Sequence, residues 1–357
     1  EPRIGLSWDI LGTHKTVLKA HYGRFMENVK AYYISSLEPS SDEEWYLVPE
    51  WGTLIPWYTT PGEDLYSIDP NIKHPDMHQI TAGVEQVIGQ DITLGVSLIW
   101  RKWGNFIESV NTGGMYNVGS YTDPKTGNSM TIYDQTNLGG DHFLITNPKE
   151  GVDYGQAFDD IVWVEPNRRY TAVEFSFTKR MSNNWQLYLS YVYADEAGTY
   201  SNSSTWQQSF GMGLASTYQD PNNQTNIDGR SDVNIPHILK VQGTYIFPLD
   251  FIFSAYYTLH SGVRWARSTF VPVAQGPLEV LAEPSGTRNQ DTVNNLDIRL
   301  EKSFNINQFR LRFWADIFNV FNQGYGDYIY ATDGTSFGLP LYVSNPRTVR
   351  AGLRFQF

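Results

Sequence analysis

Cysteine is absent from the 357 residues, which removes disulfides, thiol catalysis and thiolate metal sites. No stretch of 18 apolar residues occurs, so no segment can cross a bilayer as a helix. Phosphate-binding Gly-Lys-Ser/Thr loops, nucleophile elbows, zinc-protease helices and dinucleotide fingerprints are missing as well. The sequence therefore offers no catalytic residue, no cofactor and no metal centre, and an enzyme is not expected. Basic charge is also short: 26 Lys and Arg against 38 Asp and Glu give a net charge of −12. That is the wrong sign for a nucleic-acid partner. Glu1-Pro2 opens the chain without a basic n-region or an apolar h-region, which reads as a processed or partial chain.

The lack of long apolar runs does not exclude a membrane. A β-barrel crosses with strands of about 9 to 11 alternating residues, and such strands average to a polar hydropathy, as the value of −0.39 does here. What the chain has in quantity is aromatic: 15% of residues, with 23 Tyr, a side chain suited to boundaries between apolar and wet surroundings.

Period-two alternation recurs from end to end. Ile4, Leu6, Trp8 and Ile10 share one face, and Leu18, Ala20 and Tyr22 another. The same pattern covers residues 79–85, 92–100, 173–178, 185–193, 239–247, 251–259, 296–301, 309–317 and 349–357. Eleven strands are expected, several longer than the usual five or six residues. Short turns near 11–15, 89–91, 182–184, 248–250 and 305–307 alternate with long loops at about 27–74, 111–166, 201–235, 262–289 and 322–345. Structureless loops of that length are rare in globular domains, whereas membrane barrels have short turns at one rim and long loops at the other. The loops hold the acidity. Loop 27–74 sets nine acids against Lys30 and Lys73, and loop 111–166 sets eight against Lys125 and Lys149. The fold class is all-β, an antiparallel transmembrane β-barrel in a single domain portion spanning 1–357.

Four segments carry a family resemblance. DGRSD (228–232) followed by IPHILKVQGTYIFP (235–248), KTVLKAHYGRF (15–25), FRLRFWADIFNVFN (309–322) and the ending NPRTVRAGLRFQF (345–357) resemble TonB-dependent outer-membrane receptors. The combination is most similar to the Oar-like subgroup, whose members often carry a carboxypeptidase-regulatory-like domain at the N-terminus. The resemblance implies a 22-stranded barrel around a plug, so that eleven strands are its C-terminal half, with plug and first strands outside this chain. It implies residence in the outer membrane of a Gram-negative-type bacterium, in contact with lipid and lipopolysaccharide and inserted by the barrel-assembly machinery. It further implies TonB as a partner through the N-terminal plug region, and a scarce nutrient as ligand: a metal chelate, an oligosaccharide or a peptide. A plugless porin or adhesion barrel, and a secreted soluble β-protein that binds glycans, are the alternatives.

Candidate site residues follow. Trp45, Tyr46, Trp51, Trp57 and Tyr58 crowd the first long loop and form a candidate ligand platform, since aromatic faces stack on flat or apolar ligands. Asp297, Arg299 and Glu301 alternate with Leu296, Ile298 and Leu300 and are expected to line the lumen. Arg350, Gly352, Phe355 and Phe357 resemble the outer-membrane assembly signal, with the aromatics at the periplasmic girdle. The stretch DPNNQTNIDGRSD (220–232) is rich in oxygen ligands but does not match the calcium-loop spacing. His74 and His78, four apart, are expected on one side of a strand.

Overall fold

The computed structural model describes residues 2–26, 65–149, 161, 164–199, 218–231 and 233–357, and the backbone alone of 43–48 and 53–59. Each of the eleven alternating segments is a strand. They are β1 (Arg3–Asp9), β2 (Thr16–Met26), β3 (Asp76–Ile88), β4 (Ile92–Gly104), β5 (Arg168–Ser182), β6 (Trp185–Gly198), β7 (His237–Phe247), β8 (Phe251–His260), β9 (Val293–Ile306), β10 (Phe309–Phe318) and β11 (Thr348–Gln356). Every strand pairs antiparallel with its neighbour in sequence, so sheet order equals chain order; Gly229–Arg230 adds a short flap on β6.

The register joins the apolar faces into one surface. Leu6 opposes Ala20, Leu18 opposes Val84, Val84 opposes Val96, and Val96 opposes Phe175. Further along, Leu189 meets Val241, Tyr245 meets Phe253, Phe253 meets Leu300, and Ala315 meets Ala351. A slip of one residue anywhere would turn a whole strand inside out, so this surface fixes the register. It is not covered by protein: Leu98 is 57% and Leu300 50% exposed, although both are mid-strand. Ala172, Ala194, Ser303 and Asp316 are buried on the other face. A soluble sheet does the reverse and hides its apolar face. The uncovered band is the lipid-facing wall of a membrane barrel, and the secreted soluble β-protein is excluded on this ground.

Short turns close one rim. Asn183 and Asn184 both take positive φ (49° and 69°) between Ser182 and Trp185, the two-residue geometry that matches strand twist and that Asn tolerates. Aromatics crowd this rim: Phe309 stacks on Phe355 at 5.3 Å, Phe355 lies 6.2 Å from Phe357, and Tyr245 lies 4.5 Å from Phe247. Two outward lysines are held there too. Lys179 Nζ sits 4.3 Å from the Trp185 ring and Lys302 Nζ 4.4 Å from that of Phe251. Lys179 also donates to the carbonyls of Arg180, Ser182 and Trp185, so its charge is satisfied at the membrane boundary.

The opposite rim departs from expectation. The loops are not structureless. They contain hairpins at Tyr116–Thr122/Ser129–Gln135, Ser268–Val273/Gly276–Leu281 and Gly326–Ile329/Pro340–Val343, and a three-stranded sheet of Tyr66–Ile68, Phe143–Thr146 and Glu108–Asn111. The described protein has its apolar core here rather than in the barrel wall: Met130, Ile132, Val271, Val273, Val280 and Ala282 pack together. His74 precedes β3 rather than sharing a strand with His78, and His78 Nδ1 lies 3.0 Å from the Tyr22 hydroxyl on the apolar side of the sheet. Residues 220–230 form a short 3-10 turn, Pro221–Gln224, and the Gly229–Arg230 flap rather than an open loop.

Candidate functional site

Two polar regions are positioned by this frame: the inner wall of the last strands, and the layer built by the long loops.

On the inner wall, Asp316 of β10 stands between two guanidiniums. Arg299 Nε of β9 donates to it at 2.5 Å, and Arg350 Nη2 of β11 donates at 2.8 Å. The register places Asp316 opposite both Arg299 and Arg350, so one buried carboxylate joins three strands. Glu301 forms an ion pair with Arg312 at 3.2 Å. Asp297 accepts the Asn319 N–H at 2.8 Å, where β10 leaves the sheet. Arg299, Glu301 and Asp297 thus lie on the face opposite the apolar band, each committed to a neighbour. Gly352 is opposite Trp314, whose ring lies where a Cβ would stand; the glycine is needed for that close approach. Phe355 and Phe357 are exposed on the other face, at the aromatic rim. Sequence reading missed Asp316, though its alternation with Ala315 and Ile317 was the available signal.

The loop layer is held by contacts between segments far apart in sequence. Arg267 donates to Asp333 at 2.6 Å and also to Asp123, with both Arg267 and Asp123 fully buried. Lys125 Nζ reaches Asp333 at 2.7 Å and lies 4.7 Å from the Phe337 ring. Glu279 accepts from Ser268 and Thr332, each at 2.5 Å. Glu283 takes Arg288 Nε at 2.5 Å and the Arg267 N–H at 2.8 Å. Asp220 accepts from Asn222 and Gln275, so its oxygens serve the protein itself. Four loops are tied into one layer by these bonds.

Two carboxyls in the layer are strongly displaced. Burial works to raise Asp123, but hydrogen bonds from Thr126 and Arg267 override it and bring the group down to about 2. Burial alone pushes Glu108 well above the usual carboxylate range, since it is fully enclosed and neither oxygen has a partner.

A cavity of about 620 Å³ opens inside the layer, between the strand Ser129–Gln135, residues 221–226 and residues 282–284. That size is typical of small-ligand sites. Of the predicted aromatic platform, Trp45 and Tyr46 fall on strand Glu43–Val48, and Trp57 and Tyr58 on Thr53–Thr59. These two strands form an antiparallel hairpin by their backbones. Trp51 lies outside the described residues.

An eleven-strand meander with an uncovered apolar wall, short turns at one rim and packed loops at the other defines an outer-membrane β-barrel protein. The family comparison agrees: residues 1–263 match the outer membrane beta barrel domain, and the chain belongs to that family. Its location is accordingly the Gram-negative outer membrane. No curated protein matches the chain in sequence. Among solved structures, 98% of the chain superposes on 39% of the outer membrane transporter YddB from Escherichia coli, at a TM-score of 0.52 and 13% identity. It also superposes over 99% of its length on 32% of the ferripyoverdine receptor of Pseudomonas aeruginosa, at a TM-score of 0.50 and 8% identity. The likeness is one of fold, and the chain spans less than half the length of either protein.

Proposed function

We propose that the chain is the C-terminal half of a 22-stranded TonB-dependent receptor barrel, which binds a scarce nutrient outside the cell and admits it to the periplasm. The observation that carries the reading is the strand count together with strand direction. β1 ends in a short turn, and β11 runs from the loop rim to the same turn rim. Pairing β11 directly with β1 would be parallel, whereas single-chain barrels of this kind are antiparallel throughout and even in number. An odd set of complementary strands satisfies both edges, and eleven more make 22. The fold likeness to two larger outer-membrane proteins, matched over 39% and 32% of their lengths, supports this. In this reading the plug, and TonB acting through it, belong to the complementary portion, while Trp45, Tyr46, Trp51, Trp57 and Tyr58 serve as ligand contacts. Arg350, Gly352, Phe355 and Phe357 serve recognition by the barrel-assembly machinery. By the motifs at 15–25, 228–248, 309–322 and 345–357, the chain is assigned in this reading to the Oar-like subgroup.

The test is uptake by cells expressing the full-length protein, before and after collapse of the inner-membrane proton gradient. A receptor of this class stops importing its nutrient when the gradient is lost. Small solutes crossing at equal rate in both conditions, or swelling liposomes that hold the purified protein, would identify a plugless porin instead.

A further inference from the structure

Among the described residues, the strand Ser129–Gln135 is paired with another strand along one edge only. Its register with Tyr116–Thr122, and the bonds from Asp123 N–H to Asn128 O and from Thr136 N–H to Met115 O, place the even-numbered residues in the ladder. The backbone N–H and C=O groups of Ser129, Thr131, Tyr133 and Gln135 therefore point to the opposite edge.

Side-chain amides occupy part of that edge. Tyr133 N–H donates to Asn222 Oδ1, and Asn222 Nδ2 donates back to Tyr133 O, both at 2.8 Å. Gln135 N–H donates to Gln275 Oε1 at 2.9 Å, and Gln275 Nε2 donates to Tyr133 O at 3.0 Å. An amide that accepts from N–H and donates to C=O at one residue does what a peptide unit of an adjacent strand would do. At Thr131 and Ser129, next along the same edge, no strand and no side-chain amide takes that place among the described residues. There the cavity begins, lined on this side by residues 128–131 and Tyr133.

Across the cavity, Gln224 accepts the Val164 N–H on Oε1 at 2.9 Å and leaves its buried Nε2 without an acceptor. Glu283 is the one carboxylate among the described residues of the lining, and Arg288 and the Arg267 N–H already bind it. Among the described residues the lining thus offers edge donors, edge acceptors and one spare amide donor, with no unpaired charge.

We propose that this cavity binds an uncharged peptide segment in extended conformation, added as a strand to the Ser129–Tyr133 edge. One carbonyl on the segment's far side accepts from Gln224 Nε2. The repeat of an extended chain decides for a peptide: its outward N–H and C=O groups recur every two residues, about 6.6 Å, as those of Ser129 and Thr131 do. A sugar has no such period, and an anionic chelate finds no free cation among the described residues of the lining. The proposal rests on the receptor reading and names the ligand class it leaves open.

The test uses the full-length protein in detergent and a library of N-acetylated, C-amidated pentapeptides restricted to uncharged residues, with retained peptides read by mass spectrometry. Maltopentaose and a ferric catecholate complex serve as competing classes. Retention of a peptide subset is expected. N-methylation of alternate residues, which removes the pairing N–H groups, should weaken the binding of those peptides by about tenfold. Thr131→Pro should do the same, because its N–H lies outside the ladder and an edge position tolerates proline; heat-modifiable mobility checks that the variant folds. Gln224→Met should weaken binding several-fold while leaving the edge intact. No retained peptide, equal binding of N-methylated peptides, or binding unaffected by a folded Thr131→Pro would each overturn the proposal. Gradient-dependent import of some other nutrient alongside a failed peptide screen sinks the site but keeps the receptor. Peptide binding without gradient-dependent import does the reverse.

Discussion

Asp123 and Glu108 are both buried in the loop layer, and their surroundings push them in opposite directions. Asp123, held down at about 2 by Thr126 and Arg267, contributes stability that is fully present above its ordinary value of 3.8. That stability is lost as pH falls towards 2. Glu108 is raised by burial, so the folded layer keeps a proton that the unfolded segment releases above 4.5. Its contribution therefore declines as pH rises from 4.5 towards its folded value. Loop-layer stability is expected to peak in mildly acidic solution and to fall on both sides. Glu108→Gln should flatten the fall that begins above 4.5 and leave the acid limb unchanged. Hydrogen-exchange protection of the 108–146 amides, corrected for intrinsic rates, reads both limbs; an unchanged alkaline limb in Glu108→Gln would show that Glu108 is charged in the fold.

At the scale of the element, β11 joins two roles that separate by mutation. Gly352 makes room for Trp314, while Phe357 stands 96% exposed at the rim. Gly352→Val forces the indole out of its place, and overpacking of this kind costs about 1 to 3 kcal/mol. The urea midpoint of the membrane-inserted fraction should drop. Deletion of Phe357 should instead impair insertion and leave a normal midpoint for the fraction that inserts. Equal outer-membrane levels with and without Phe357 would remove the assembly role. Strand placement itself was legible in the chain: all eleven alternating segments are strands, because a wall with lipid on one side imposes period two on each. The loop hairpins were also partly written there, in the alternation of Met130 and Ile132 with Thr131 and Tyr133. Their position inside a long acidic loop hid them.

At the scale of the molecule, the sheet has two edges, since among the described residues β1 pairs only with β2 and β11 only with β10. In hydrocarbon, each unpaired backbone group costs several kcal/mol. The proposed half-barrel therefore predicts that these 357 residues, directed alone to the outer membrane, give no heat-modifiable species. Co-expression with the complementary strands should restore one. A heat-modifiable barrel from this chain alone would require a closure other than the antiparallel 22-strand ring.

The sequence by itself determined the wall: which residues are strands, which face meets lipid, which rim has the short turns, and that no helix crosses. Those features follow from alternation, turn chemistry and composition, all of them local. It was the tertiary structure that decided what stands at the loop rim. Arg267 finds Asp123 and Asp333, and Asn222 finds the edge at Tyr133, across separations at which no periodicity survives. Pairings of that kind are chosen by burial and by hydrogen-bond satisfaction in three dimensions. The cavity, with its half-open strand edge, exists only after they have formed.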